Sequence, residues 1–117
     1  MSSDHNTSPV LRLRSADRSA TSAALLYARL HWTRSAVLSA STLMQEAKRL
    51  EHAMDRSPMI DDHITVGLNP DSADCLHLVA KTCSTSGQPF VEDLANTVRS
   101  VALRAEAVLA PEEPVEE

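Results

Sequence analysis

Two cysteines and five histidines are the residues of this chain best suited to nucleophilic or metal chemistry. Cys75 and His77 are close in sequence, but on a helix they would point to different faces, so they do not predict a nucleophile with its base. Cys83 lies eight positions after Cys75, which on one helix separates their Cα atoms by about 12 Å, too far for a disulfide. We therefore predict two reduced thiols, wholly or partly buried, and no catalytic residue.

The densest group of possible metal ligands is the run Asp61-Asp62-His63, which Cys75 or His77 could join in space. The sequence contains neither His-x3-His nor Cys-x2-Cys, which are spacings typical of protein metal sites. A polar turn facing solvent is the simpler interpretation of the run. Both glycines are isolated, so no phosphate-binding loop is indicated either. We expect no metal, no cofactor and no enzymatic activity.

Length, composition and charge set the broad class of the protein. The chain has 117 residues, of which 43% are hydrophobic and 23% are charged. These values are typical of one compact domain and exclude collagen, a disulfide-stapled miniprotein and a fully disordered chain. The sequence contains no apolar run of about 18 residues, so it predicts no membrane span. The first nine residues are polar and do not have the order of a signal peptide. We expect a cytoplasmic protein.

Charge is distributed unevenly along the chain. Residues 1–56 carry a net charge of +3, whereas residues 57–117 carry −8. Such asymmetry is typical of one half folding on the other, or of one subunit meeting another. The overall charge of −5 argues against a general nucleic-acid-binding protein.

The longest structural signal is the stretch from residue 17 to residue 56, which contains neither glycine nor proline. Its apolar residues share one side of a helical wheel, which predicts one helix of about 35 residues, roughly 50 Å long. Two shorter helices are predicted over 71–84 and 89–110, each beginning next to a proline. The predicted fold is mostly α: one long N-terminal helix with the two shorter helices packed antiparallel along it.

Two short segments, 10–14 and 63–68, alternate apolar and polar residues and could pair as a β-ribbon. An extended loop held by three apolar side chains explains the second segment equally well. The predicted domain organisation has three parts. They are a flexible or edge-strand arm over 1–16, a single helical domain over 17–110, and a disordered acidic tail over 111–117.

Four residues at helical spacing form a strip on the outer side of the predicted long helix: Tyr27, His31, Arg34 and Leu38. Tyrosine, arginine and large aliphatic residues are typical of the centres of protein interfaces. A solvated face with one exposed tyrosine and one exposed leucine explains the strip equally well. We predict that the four residues contact a partner protein.

Two charged residues, Arg29 and Glu51, intrude among the apolar residues of the same helix. An unpaired buried charge is costly. Arg29 must therefore reach solvent near a helix end, pair with an acid from residues 57–117, or meet another chain. We place Arg29 and Trp32 at a helix–helix seam and add both to the predicted partner contacts.

These observations favour a non-enzymatic protein-interaction module, such as an adaptor, a chaperone-like protein or an inhibitor. It would bind and occlude a partner protein, and it would form a homodimer, because the long helix offers more apolar surface than the two shorter helices cover. The alternative is a nucleic-acid-binding transcriptional regulator with a basic N-terminal arm, formed by Arg12, Arg14, Arg18, Arg29 and Arg34. Binding of a small ligand between the helices stays open.

Overall fold

The computed structural model describes residues 9–39 and 41–110, which form five helices and one two-stranded sheet. The mostly α class is therefore confirmed. The first eight residues of the predicted arm and the acidic tail predicted for 111–117 lie outside the described residues. The elements in chain order are β1 (Val10–Arg14), α1 (Ser15–Trp32), α2 (Ala36–Ser39), α3 (Thr42–Arg56), β2 (His63–Gly67), α4 (Ser72–Ser84) and α5 (Pro89–Leu109).

The β-ribbon is confirmed, since β1 pairs with β2 in an antiparallel sheet in which Val10 lies opposite Gly67. Alternation along the strands places four aliphatic side chains on the buried inner face: Leu11, Leu13, Ile64 and Val66. Asp61 and Asp62, in the turn before β2, have left-handed backbones with φ of 53° and 66°. Aspartate tolerates this conformation better than most residues because its short side chain bonds locally to the backbone.

The continuous helix predicted over 17–56 is wrong, because this stretch forms α1, α2 and α3. The hydroxyl of Ser35 accepts a hydrogen bond from the amide of Leu38 near the start of α2 (3.1 Å). The hydroxyl of Ser41 accepts one from the amide of Met44 at the start of α3 (3.1 Å). Each serine thus satisfies an amide that lacks a carbonyl partner in a first helical turn, which favours a new helix start.

Replacing Ser41 by alanine is expected to destabilise the protein by about 1 kcal/mol, because the N-cap of α3 is lost. The measurement is urea denaturation followed by far-ultraviolet circular dichroism. Ser41→Asp keeps a capping acceptor and should stay close to the wild type. An alanine variant as stable as the wild type would show that this hydroxyl does not start the helix.

The two shorter helices lie where the sequence predicts them and form a hairpin through residues 85–88. Gly87 in this turn has φ of +78°, a left-handed conformation that suits glycine after a helix end. One side of α4 is buried along its length: Ala73, Leu76, Val79, Ala80 and Cys83. The core fills the space between the helices and the inner face of the sheet. Among the helices described, none has the length and apolar character needed to cross a membrane.

Candidate functional site

Three residues of the predicted strip come together around one open pocket of about 270 Å³. Tyr27 and His31 come from the second half of α1, and Arg34 comes from the turn that follows the helix. Leu30 completes the α1 side of the pocket, and Gln88 lines it from the turn before α5. We call this site the α1–α5 pocket. The strip is therefore not one helical face, because α1 ends before Arg34.

The rings of Tyr27 and His31 stack beside this pocket, with centroids 6.1 Å apart and planes 13° from parallel. Tyr27 is half-buried against the core, which holds its ring in place, whereas His31 and Arg34 are exposed. Leu38 lies on α2, packs against the core and does not line the pocket. The pocket combines an aromatic wall and an aliphatic wall with a guanidinium, which suits a side chain that is apolar or acidic.

Trp32 is a core residue, because only 1% of its surface is exposed. Its indole Nε1 donates a hydrogen bond to the Oγ1 atom of Thr82 on α4 (2.9 Å). The seam predicted for this residue thus lies between α1 and α4 of the same chain. Trp32 presents no accessible surface to a partner, and we remove it from the candidate contacts.

Arg29 pairs with Glu51, the other charged residue of the apolar arc. Its Nε and Nη2 atoms both donate to Oε1 of Glu51, at 2.9 and 2.6 Å. The acid comes from α3 and not from residues 57–117, so none of the three expected outcomes for Arg29 describes this contact. Since the pair satisfies the guanidinium within one domain, Arg29 gives no argument for a second chain.

The most buried charged group is one that the sequence analysis missed. Glu46 on α3 is 5% exposed and accepts hydrogen bonds from the guanidinium of Arg49, the hydroxyl of Ser72 and the side-chain amide of Asn69. Burial pushes the pKa of Glu46 upward, but these hydrogen bonds and the charge of Arg49 outweigh it and hold the pKa below its ordinary value of 4.5. These hydrogen bonds link α3 to the start of α4.

Both cysteines are free and buried, as the sequence predicts. Burial, followed by the negative charge of Glu46, raises the pKa of Cys75 to about 12, and burial raises the pKa of Cys83 to about 11. Both thiols are therefore protonated at neutral pH and poorly nucleophilic. Within the described residues, no three His, Cys, Asp or Glu side chains converge as metal ligands. His77 instead lies 3.5 Å from Glu106 on α5.

Large apolar side chains are exposed on α1 and at the start of α5, close in sequence to residues that line the α1–α5 pocket. Leu30 lines the pocket and is 58% exposed, and Leu26, one turn earlier on α1, is 45% exposed. Phe90, two residues after Gln88, is 71% exposed. We call the pocket together with Leu26 and Phe90 the α1–α5 surface.

Comparison of the chain with protein-family models, curated proteins and solved structures found no match. The geometry gives the nucleic-acid alternative little support, since the five arginines of the predicted basic arm do not form one patch. Arg12 and Arg14 lie on the sheet, Arg29 is paired, and Arg34 lies beyond the other end of α1.

Proposed function

We propose that this protein is a non-enzymatic protein-interaction module, of the adaptor, chaperone-like or inhibitor type, that acts by binding and occluding a partner protein. We further propose that it forms a homodimer through the α1–α5 surface. The observation that carries the proposal is the exposure of Leu26 and Leu30 on the second half of α1 and of Phe90 at the start of α5. Single exposed apolar residues are ordinary on protein surfaces, whereas a group of large ones is typical of an interface.

The shared position of these residues follows from two contacts between α1 and α5. Asp17, in the first turn of α1, pairs with Arg104 near the end of α5 (3.2 Å). At the opposite end of α1, Gln88 from the start of α5 lines the pocket with Leu30. We infer that α5 runs antiparallel to α1, which places Leu30 and Phe90 at the same end. This arrangement supports the predicted antiparallel packing for one of the two shorter helices.

The loss of the continuous helix changes the basis of the proposal. Most of the apolar arc predicted for 17–56 is covered by the chain's own elements, including Leu25, Met44 and Leu50. Exposed large apolar side chains remain on the second half of α1, on α2 and at the start of α5, and single ones lie elsewhere, at Val10, Met59, Ile60, Leu103 and Val108. Burying a large aliphatic or aromatic side chain contributes about 1.5–3 kcal/mol, so three such side chains provide a useful driving force for association.

A second copy of the chain suits this surface because its charges are self-complementary. Arg34 is exposed and lines the pocket, and Glu92 and Asp93 are exposed near the start of α5, shortly after Phe90 in sequence. In a symmetric dimer, each residue of one copy can meet a different residue of the other copy across a twofold axis. A twofold axis between Arg34 and the pair Glu92 and Asp93 brings Arg34 of each copy against Glu92 and Asp93 of its partner.

Replacing Leu30 and Phe90 together by serine is expected to convert a dimer into a monomer of 12.7 kDa. The measurement is sedimentation equilibrium at micromolar protein, with circular dichroism to confirm that the variant folds. Leu103→Ser is the matched control, because Leu103 is an exposed leucine toward the other end of α5 and its loss should leave the dimer intact. A wild-type protein that is monomeric under these conditions removes the homodimer from the proposal.

Charge reversal tests the predicted orientation of the two copies. Arg34→Glu is expected to weaken dimerisation about tenfold, since it places acids opposite acids. Adding Glu92→Lys and Asp93→Lys in the same chain should restore much of the affinity. If the combined variant dimerises no better than Arg34→Glu alone, Arg34 of one copy does not face Glu92 and Asp93 of the other.

A further inference from the structure

The outer edge of β1 carries backbone groups that point away from β2. The amide of Ser15 donates to the carbonyl of Asp62 (3.1 Å), and the amide of Leu68 donates to the carbonyl of Pro9 (2.9 Å). These bonds mark the odd-numbered positions of β1 as the ones that bond to β2, because such pairs alternate in an antiparallel ladder. The backbone groups of the even-numbered residues therefore point outward: Val10, Arg12 and Arg14.

The two edges of this sheet differ in how far the chain covers them. On β2, the carbonyl of Thr65 accepts from the hydroxyl of Ser57 (2.9 Å), and the carbonyl of Gly67 accepts from Arg49 (3.0 Å). On β1, the carbonyl of Arg12 accepts from the Arg104 guanidinium. In residues 9–39 and 41–110, no acceptor bonds the outward amides of β1. The outward amides of β1 are therefore open while the outward carbonyl of Arg12 is occupied by Arg104, and an edge with open amides is a template for another strand.

The charge of the exposed side chains on β1 indicates which kind of strand can pair with its outer edge. The side chains of Arg12 and Arg14 are exposed on the outer face, and His63 lies directly opposite Arg14 in the register. A second copy of β1 would place arginines against arginines, which is unfavourable between neighbouring strands. We propose that the outer edge of β1 binds an extended segment of a partner protein that carries Asp or Glu at alternate positions. This inference rests on the proposed interaction function and names the chemistry of its partner.

The geometry of the added strand follows from β1. Five residues of strand span about 17 Å, so the partner segment needs about five to seven residues. Its carbonyls accept from the outward amides, and its alternate acidic side chains lie beside Arg12 and Arg14. The neighbouring Arg104, whose side chain is about two-fifths exposed, is already paired with Asp17, so the cations left for the partner's acids are Arg12 and Arg14. Of the chain's own nearby acids, Asp61 and Asp62 lie in the turn beyond the last paired residues, and Asp17 is paired with Arg104.

The probe is the blocked peptide acetyl-Thr-Glu-Val-Glu-Val-Glu-Thr-amide, titrated at low salt into isotope-labelled protein and followed by amide NMR signals. The expected result is a shift of the Val10, Arg12 and Arg14 amides, with slower hydrogen exchange at these positions. A peptide with lysine in place of glutamate should not bind. Equal binding of the lysine peptide, or shifts confined to the α1–α5 surface, would overturn the proposal.

Val10→Pro separates strand pairing from simple charge attraction. This change removes an outward amide without touching the ladder to β2 or any charge, and proline is tolerated where the amide of an edge strand faces outward. We expect about fivefold weaker peptide binding, the effect of one lost backbone hydrogen bond, whereas the matched control Val10→Ala keeps its affinity. Unchanged binding by a folded Val10→Pro variant would contradict strand addition.

The same titration on the Leu30→Ser, Phe90→Ser variant distinguishes this inference from the homodimer. Binding of the acidic peptide to a monomeric variant supports the edge site independently of the dimer. A dimeric wild type that fails to bind the peptide overturns the edge site and leaves the α1–α5 surface standing.

Discussion

Replacing Trp32 by alanine is expected to lower the free energy of unfolding by about 4 kcal/mol, among the largest effects of any single substitution in this chain. The indole is almost wholly buried and lies between α1 and α4. Its removal leaves a cavity that the surrounding helices fill only in part, and it leaves the Thr82 hydroxyl without this donor. Urea denaturation followed by circular dichroism measures the loss.

Two variants separate the volume of the indole from its hydrogen bond. Thr82→Val removes the acceptor at nearly constant volume and is expected to cost about 1 kcal/mol. Trp32→Phe keeps an aromatic ring and should fall between this variant and alanine. Trp32 is the chain's single tryptophan, so its fluorescence should report an apolar environment in the folded protein. A loss below about 1 kcal/mol for Trp32→Ala would mean that the indole is not packed in the core.

The pair of Arg29 and Glu51 shows why the sequence could not predict the arrangement of the first three helices. The two residues are 22 positions apart, and on one straight helix that separation is about 33 Å. Their ion pair can form only because the chain turns between α1 and α3. Both residues stand out in the sequence as charges among the apolar positions of the predicted helix. A continuous helix would keep them apart.

The turn itself depends on competition that a sequence pattern does not resolve. Ser35 and Ser41 could sit inside a helix with their hydroxyls in solvent, or each could cap a new one. The break between α1 and α3 is favoured by burial elsewhere in the chain. When the chain turns at this break, Met44, Leu50 and Met54 of α3 join the core. The sheet and the last two helices were predictable for local reasons. Their alternation, prolines and glycines act within a few residues.

The candidate site was predictable only in part. Tyr27, His31 and Arg34 were correctly expected to lie near one another, because helical spacing survives to the end of α1. Gln88 joins them through a contact between distant parts of the chain, which no spacing indicates. Glu46 shows the same limit, since its i+3 partner Arg49 looks like an ordinary surface pair and its other partners lie beyond β2.

Replacing Glu46 by alanine is expected to destabilise the protein by about 3 kcal/mol. The change leaves the guanidinium of Arg49, the hydroxyl of Ser72 and the amide of Asn69 without their shared acceptor. The loss stays at the lower end for a buried ion pair because Arg49 is about one-third exposed and can be hydrated. Glu51→Ala is the matched control: it also breaks a carboxylate–arginine pair, but its carboxylate is 23% exposed against 5% for Glu46, and its loss should cost about 1 kcal/mol.

The pH dependence of stability tests whether the Glu46 carboxylate is ionised in the folded protein. Its pKa is lower in the folded state than its ordinary value of 4.5, so the unfolded chain binds the proton more readily. The stabilisation that the charged Glu46 provides is therefore fully present when the pH is above its ordinary pKa of 4.5. It is lost as the pH falls through the lower pKa of the folded state. Glu46→Gln cannot titrate at this position, so the stability difference between wild type and this variant should shrink as the pH falls from about 6 to about 3. A difference that stays constant over this range would mean that the buried carboxyl group is not held in its charged form by Arg49, Ser72 and Asn69.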